Sequence, residues 1–101
     1  MSIHNTVITR CLAVAVCTRN LNYNADEYQK GVIEPYEKMQ KLQYQIEKQG
    51  ILPSREQNEE ALKLLKTIFA TKNVPVEIQN KRFIKILEET GTKEDFYEQL
   101  S

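Results

Sequence analysis

Between Asn24 and Gly50 the residues that avoid water recur at Tyr28, Val32, Pro35, Met39, Leu42 and Ile46, at steps of four, three, four, three and four. That period holds one seam on one side of an α-helix. Asn24 suits the cap of this helix, with Glu27 three residues on as its reciprocal partner. Gly50 suits its end, and Pro53 follows shortly after. Pro35 falls inside the pattern, removes one backbone donor and crowds the carbonyl of Gly31. The sequence therefore predicts either a kink at Pro35, or a short helix ending near Ile33 and a second starting at Pro35.

Further helices follow in order. Ser54 with Gln57 makes a capping box. Ala61, Leu62, Leu65, Ile68 and Phe69 form the apolar face behind it, and Asn73 can close the helix. Pro75 fits the first turn of the next helix. Val76, Phe83, Ile86, Leu87 and Thr90 line its inner side, and Gly91 ends it. Thr92 can cap a last short helix, with Asp95 three residues on and Phe96, Tyr97 and Leu100 to bury. Residues 18–24, with three Asn in five positions, read as a loop.

Residues 2–18 fit two patterns. Ile3, Val7, Cys11 and Val14 make a helical stripe, whereas Leu12, Val14 and Val16 alternate as in a strand. No second strand pattern exists for a strand to pair with, so a buried helix is the expectation. The chain is thus predicted to be all-α: an antiparallel four-helix bundle with a short C-terminal helix, in a single domain over residues 1–101.

Composition narrows the function more by exclusion than by indication. Fourteen bases balance fourteen acids, so general attraction to nucleic acid or to an anionic membrane is not expected. Cys11 and Cys17 match no metal or redox spacing and read as reduced core thiols in a cytoplasmic protein. The apolar run from Cys11 to Cys17 is at the short limit of an export signal and lacks a clean cleavage site. Nothing approaches the ~20 apolar residues of a membrane span.

No catalytic constellation stands out. The single histidine, His4, lies seven residues from Cys11, and the pair lacks an orienting third group. The adjacent acids Glu59 and Glu60, and Glu88 and Glu89, point apart on a helix. Phosphate, dinucleotide and zinc motifs are missing. The expectation is a protein that is not an enzyme, with no cofactor and no metal. A helix-turn-helix could be built from residues 55–72 and 76–90, with Lys81, Arg82 and Lys85 as its basic group, but Glu77, Glu88 and Glu89 flank them.

Binding of another protein has more support. Ile33 and Tyr44 on the long helix, Leu64 on the next, and Ile78 and Ile84 on the one after all fall off the inward stripes. Tyr23, Tyr36 and Tyr97 are further aromatics of the kind enriched at interfaces.

Over about residues 34–91 the segments IEPYEKMQKL, IEKQG and VEIQNKRFIKILEETG resemble the matching helices of class IIa bacteriocin immunity proteins, the pediocin and enterocin A type. The resemblance implies a cytosolic antiparallel four-helix bundle that protects its producer without catalysis. It implies action at a membrane sugar-transporter receptor complex once bacteriocin has bound. It also implies that the C-terminal region sets specificity, which here points to Phe83, Ile84, Phe96 and Tyr97. Two other readings stay open: a small helix-turn-helix regulator, and a structural homo-oligomer subunit whose off-stripe residues close a homodimer.

Overall fold

The computed structural model describes residues 5–17 and 25–96. Its elements are α1 (Val7–Cys17), α2 (Ala25–Tyr28), a π-helical turn (Gln29–Ile33), α3 (Glu34–Gln49), α4 (Arg55–Thr71), α5 (Val76–Thr90) and a closing 3-10 turn (Lys93–Phe96). Within the ambiguous segment 2–18, residues 2–4 and 18 lie outside the described residues, and Val7–Cys17 is helix. Two threonines start it by reciprocal capping: the Thr6 N–H donates to Thr9 Oγ1 at 3.0 Å, and the Thr9 N–H to Thr6 Oγ1 at 3.4 Å. The expected Asn24 cap and the 18–24 loop lie outside the described residues.

Pro35 neither breaks nor separates the long helix. α2, the π turn and α3 run on as one helix, with Tyr28, Ile33 and Glu34 all in right-handed helical conformation. The Glu34 N–H bonds to the Gln29 carbonyl, five residues back. The widened turn takes up one extra residue just ahead of the proline, where the four-residue bond to Gly31 is missing. Gly31 belongs in this turn for a second reason. A Cβ there would overlap the side chain of Thr71 at the end of α4.

The other boundaries follow local chemistry. Gly50 and Gly91 take left-handed conformations after α3 and α5. Asn73 does the same after α4, at φ 57°. There the Val74 N–H reaches the Phe69 carbonyl and the Asn73 N–H that of Ala70, a Schellman ending. Ser54 and Gln57 form the expected reciprocal box.

α1 and α4 make the most extensive helix contact, α3 packs against both, and α5 packs on α1 more than on α4. Contacts at the helix ends fix the directions. Lys72 at the end of α4 bonds to Ala15 near the end of α1, so these two helices run parallel. Asn5 Nδ2, just before α1, donates to the carbonyl of Glu89 near the end of α5 at 2.9 Å, so those two are antiparallel. Arg10 strengthens that junction through Asn5 Oδ1 at 3.0 Å and Glu89 Oε2 at 3.4 Å. The result is an up-down bundle with α1 and α4 as its close diagonal, flattened to 40 × 31 × 19 Å.

The core joins Val7, Ile8, Cys11 and Ala15 of α1 to Met39, Leu42 and Ile46 of α3, Leu65, Ile68 and Phe69 of α4, and Ile86 and Leu87 of α5. Each large side chain taken fully out of water contributes about 1.5–3 kcal/mol before chain entropy is set against it. Two expectations are corrected here. Leu64, read as an outward residue, is buried at 9% exposure. α4 is flanked by α1 and α3, so its apolar arc is wide enough to include it. Val76, read as inward-facing, is 68% exposed. The helical period of α5 is right, but this helix buries only its second half, at Ile86 and Leu87.

Candidate protein-binding surface

The turn between α3 and α4 is fixed by two glutamines. Gln49 Nε2 donates to the carbonyls of Ile51 and Leu52, each at 3.3 Å, and to Gln57 Oε1 at 3.1 Å. Gln57 Nε2 returns a bond to Gln49 Oε1 at 3.0 Å. The Gln57 Oε1 atom also accepts the Ser54 N–H at 2.9 Å. Left-handed Gly50 turns the chain into this arrangement. The backbone of Ile51 and Leu52 is thereby held, while their side chains project outward at 67% and 52% exposure. Nothing in the apolar periodicity marks them, because they lie outside any helix. The signal that could have found them is an apolar pair placed between a C-terminal glycine and a capping serine.

Among the described residues, those expected to form a partner surface do not gather into one patch. Tyr44 stands on the outer face of α3, with the Lys48 ammonium 5.1 Å from its ring centre. Ile78 is exposed in the first turn of α5, near Val76. Ile33 and Ile84 are half-buried. Phe83 packs edge-on against Phe69 with centroids 5.4 Å apart and cannot be offered whole to a partner. Leu64 is removed from the set by its burial. Phe96 contributes its backbone to the 3-10 turn, but its side chain and all of Tyr97 lie outside the described residues.

Exposed apolar side chains therefore occupy both ends of the bundle. Ile51 and Leu52 sit at the end where α4 begins. Val16, Val76 and Ile78 belong to the end where α1 and α4 finish.

Two ionisable groups are buried among the described residues. Burial pushes the Cys11 thiol up to about 12, which keeps it protonated and unreactive. Cys11 is a packing residue as expected; the side chain of Cys17, like His4, is outside the described part. Burial lowers the pKa of Lys72, whose ammonium donates to the Ala15 carbonyl at 3.2 Å. Three of the four acids considered for catalysis are engaged on the surface: Glu59 with Arg55 at 3.2 Å, Glu89 with Arg10, and Glu88 with Lys93 at 3.8 Å. The basic group on α5 is not a uniform stripe either. Lys85 lies 3.9 Å from Glu89, and Arg82 is half-buried with its Nε unpartnered among the described residues.

Among the described residues, no group of three or more His, Cys, Asp and Glu could hold a metal ion, and no helix is long and apolar enough to cross a membrane. Compared with known protein families, curated proteins and solved structures, the chain matches none.

Proposed function

We propose that this bundle acts by binding another protein, without chemistry of its own, and that the turn carrying Ile51 and Leu52 is the principal contact. The observation behind this reading is the contrast within that turn. Its backbone is held by Gln49, Gln57 and Ser54, while two consecutive large apolar side chains face solvent. A single exposed Leu carries no meaning. A pair on a pre-ordered turn lowers the entropy cost of docking, which is where small interfaces otherwise lose affinity.

The finer reading is the one implied by the resemblance of residues 34–91: an immunity protein acting in the cytoplasm at a membrane receptor complex. The bundle architecture supports it. Phe83 and Ile84 then act through the shape of the half-buried α5 face, together with Phe96 and Tyr97. The regulator reading is weaker, because Lys85 is paired with Glu89, Arg82 is half-buried, and Glu77 and Glu88 remain beside them.

Two measurements test these levels separately. A photo-crosslinking side chain at position 51, in the cells that make the protein, is expected to give one discrete protein adduct that disappears with Leu52→Ser. A clean lane would sink the contact. Expression in cells sensitive to class IIa bacteriocin is expected to protect them. Unprotected cells would remove the immunity reading and leave the contact standing.

A further inference from the structure

α3 carries a second seam. Glu34, Glu37, Lys41, Tyr44 and Lys48 follow one another at steps of three, four, three and four. This is the spacing of the inner residues Met39, Leu42 and Ile46 displaced by two positions, which puts it on the opposite side of the helix. All five side chains are exposed. Tyr44, in the middle, is 58% exposed. Glu37, Gln40, Lys41, Tyr44 and Gln45 together make one open stretch of this outward surface.

We propose that this seam is where a second copy of the same chain lies, antiparallel, to form a weak symmetric dimer. The charge order selects that occupant. Acids come first and bases last, so parallel pairing sets acid against acid. Antiparallel pairing about a two-fold axis between Leu42 and Gln43 sets Glu37 opposite Lys48 of the second copy, and Lys41 opposite Tyr44 of the second copy. Each contact occurs twice by symmetry. Lys48 then leaves its own Tyr44 for the facing carboxylate, and Lys41 of the other copy takes its place over the ring. At the flanks Gln40 faces Glu47 and Lys38 faces Gln45, and no like charges meet.

Acid-first order also suits the dipole of an isolated helix. The exposed Tyr44 at the centre of the seam is not explained that way. A helix of sixteen residues is only about 24 Å long. With one aromatic on each side it falls short of the roughly 1,200 Å² of a stable interface. The dimer is therefore transient, populated at high concentration and weakened by salt. It uses a different face from the α3–α4 turn, so either proposal can fail alone.

Analytical ultracentrifugation from micromolar to millimolar chain concentration, at low and high salt, tests it. The expected result is a concentration-dependent dimer that recedes with salt. Glu37→Lys is expected to weaken it about tenfold, and Glu37→Lys combined with Lys48→Glu to restore it to within about threefold. Because the swap must rescue, a loss caused by misfolding is distinguished from a loss of pairing. A monomer at millimolar concentration and low salt, a dimer indifferent to Glu37→Lys, or a swap that fails to restore it would each overturn the proposal.

Discussion

Lys72 and Ala15 stand fifty-seven positions apart in the chain and meet at 3.2 Å, ammonium to backbone carbonyl, in the interior. The carbonyl lies in the last described turn of α1, so the bond ties that turn to the end of α4. The cation also opposes the negative end of the α1 dipole. Lys72→Ala is expected to cost about 1–2 kcal/mol in chemical denaturation. Amide exchange should speed up selectively in the last turn of α1. Unchanged exchange there would mean that Lys72 contributes only its stem.

The same residue gives a signed pH effect. Burial lowers the folded pKa of Lys72 below 10.5, so over the interval between the lowered value and 10.5 the unfolded chain binds more protons than the folded one. Stability contributed by this group therefore rises as pH climbs through that interval. The wild type is expected to gain on Lys72→Met as pH is raised toward 10.5, and to show no such gain near neutrality. Parallel stability curves for the two proteins across alkaline pH would contradict the assignment.

Gly31 is required by its neighbour rather than by its conformation. A methyl group there meets the Thr71 hydroxyl and methyl, and Thr71 Oγ1 is itself committed to the Thr67 carbonyl at 2.9 Å. Gly31→Ala is expected to destabilise by about 1–3 kcal/mol, the range for overpacking. This holds although alanine is the better helix former. Thr71→Ala, added to it, removes the two closest atoms and should recover part of the loss. A double-mutant cycle with no coupling would refute the contact.

The Gly31 contact also marks where sequence reading stops. Caps and endings are local, so Ser54, Gln57, Gly50 and Gly91 announced themselves. The bundle class followed from the seam Val32–Met39–Leu42–Ile46. What could not be read was non-local. The buried line of α4 is Asn58, Ala61, Leu65, Ile68 and Lys72, and its two ends are polar. An apolar pattern hides such ends, so the centre of the buried arc was placed too near Leu62, and Leu64 was turned outward. α4 packs beside the π turn ahead of Pro35, with Thr71 against Gly31, a contact that no local pattern announces. Ile51 and Leu52 were passed over because no periodicity governs a turn. Of the candidate surface, Tyr44 and Ile78 were found by their offset from the stripes, whereas Val76 was missed because its stripe continues past the surface it packs on.

Cys11 separates packing from reactivity. It is fully buried among core side chains, and burial raises its thiol pKa to about 12. Under native conditions it is expected to resist alkylation at neutral pH, and to react only at the rate of global unfolding. Peptide mapping by mass spectrometry reports Cys11 separately from Cys17. Rapid native labelling of Cys11 would mean that α1 opens without the rest of the bundle.

Leu64 and Tyr44 give the sharpest contrast between the expected and the observed surface, because both were read as outward. Leu64 is buried in the wide arc that α4 shares with α1 and α3, whereas Tyr44 is largely in solvent with Lys48 over its ring. Leu64→Ala removes three buried carbon atoms and leaves space that neighbours on two sides must fill, so a loss of about 2–4 kcal/mol is expected. Tyr44→Ala removes a larger side chain from a position that holds little of the fold, and should change stability by no more than about 0.5 kcal/mol at low chain concentration. Paired thermal and urea unfolding of the two variants decides the matter. If Leu64→Ala were as mild as Tyr44→Ala, α4 would not sit between α1 and α3 as described, and Leu64 would return to the outer surface.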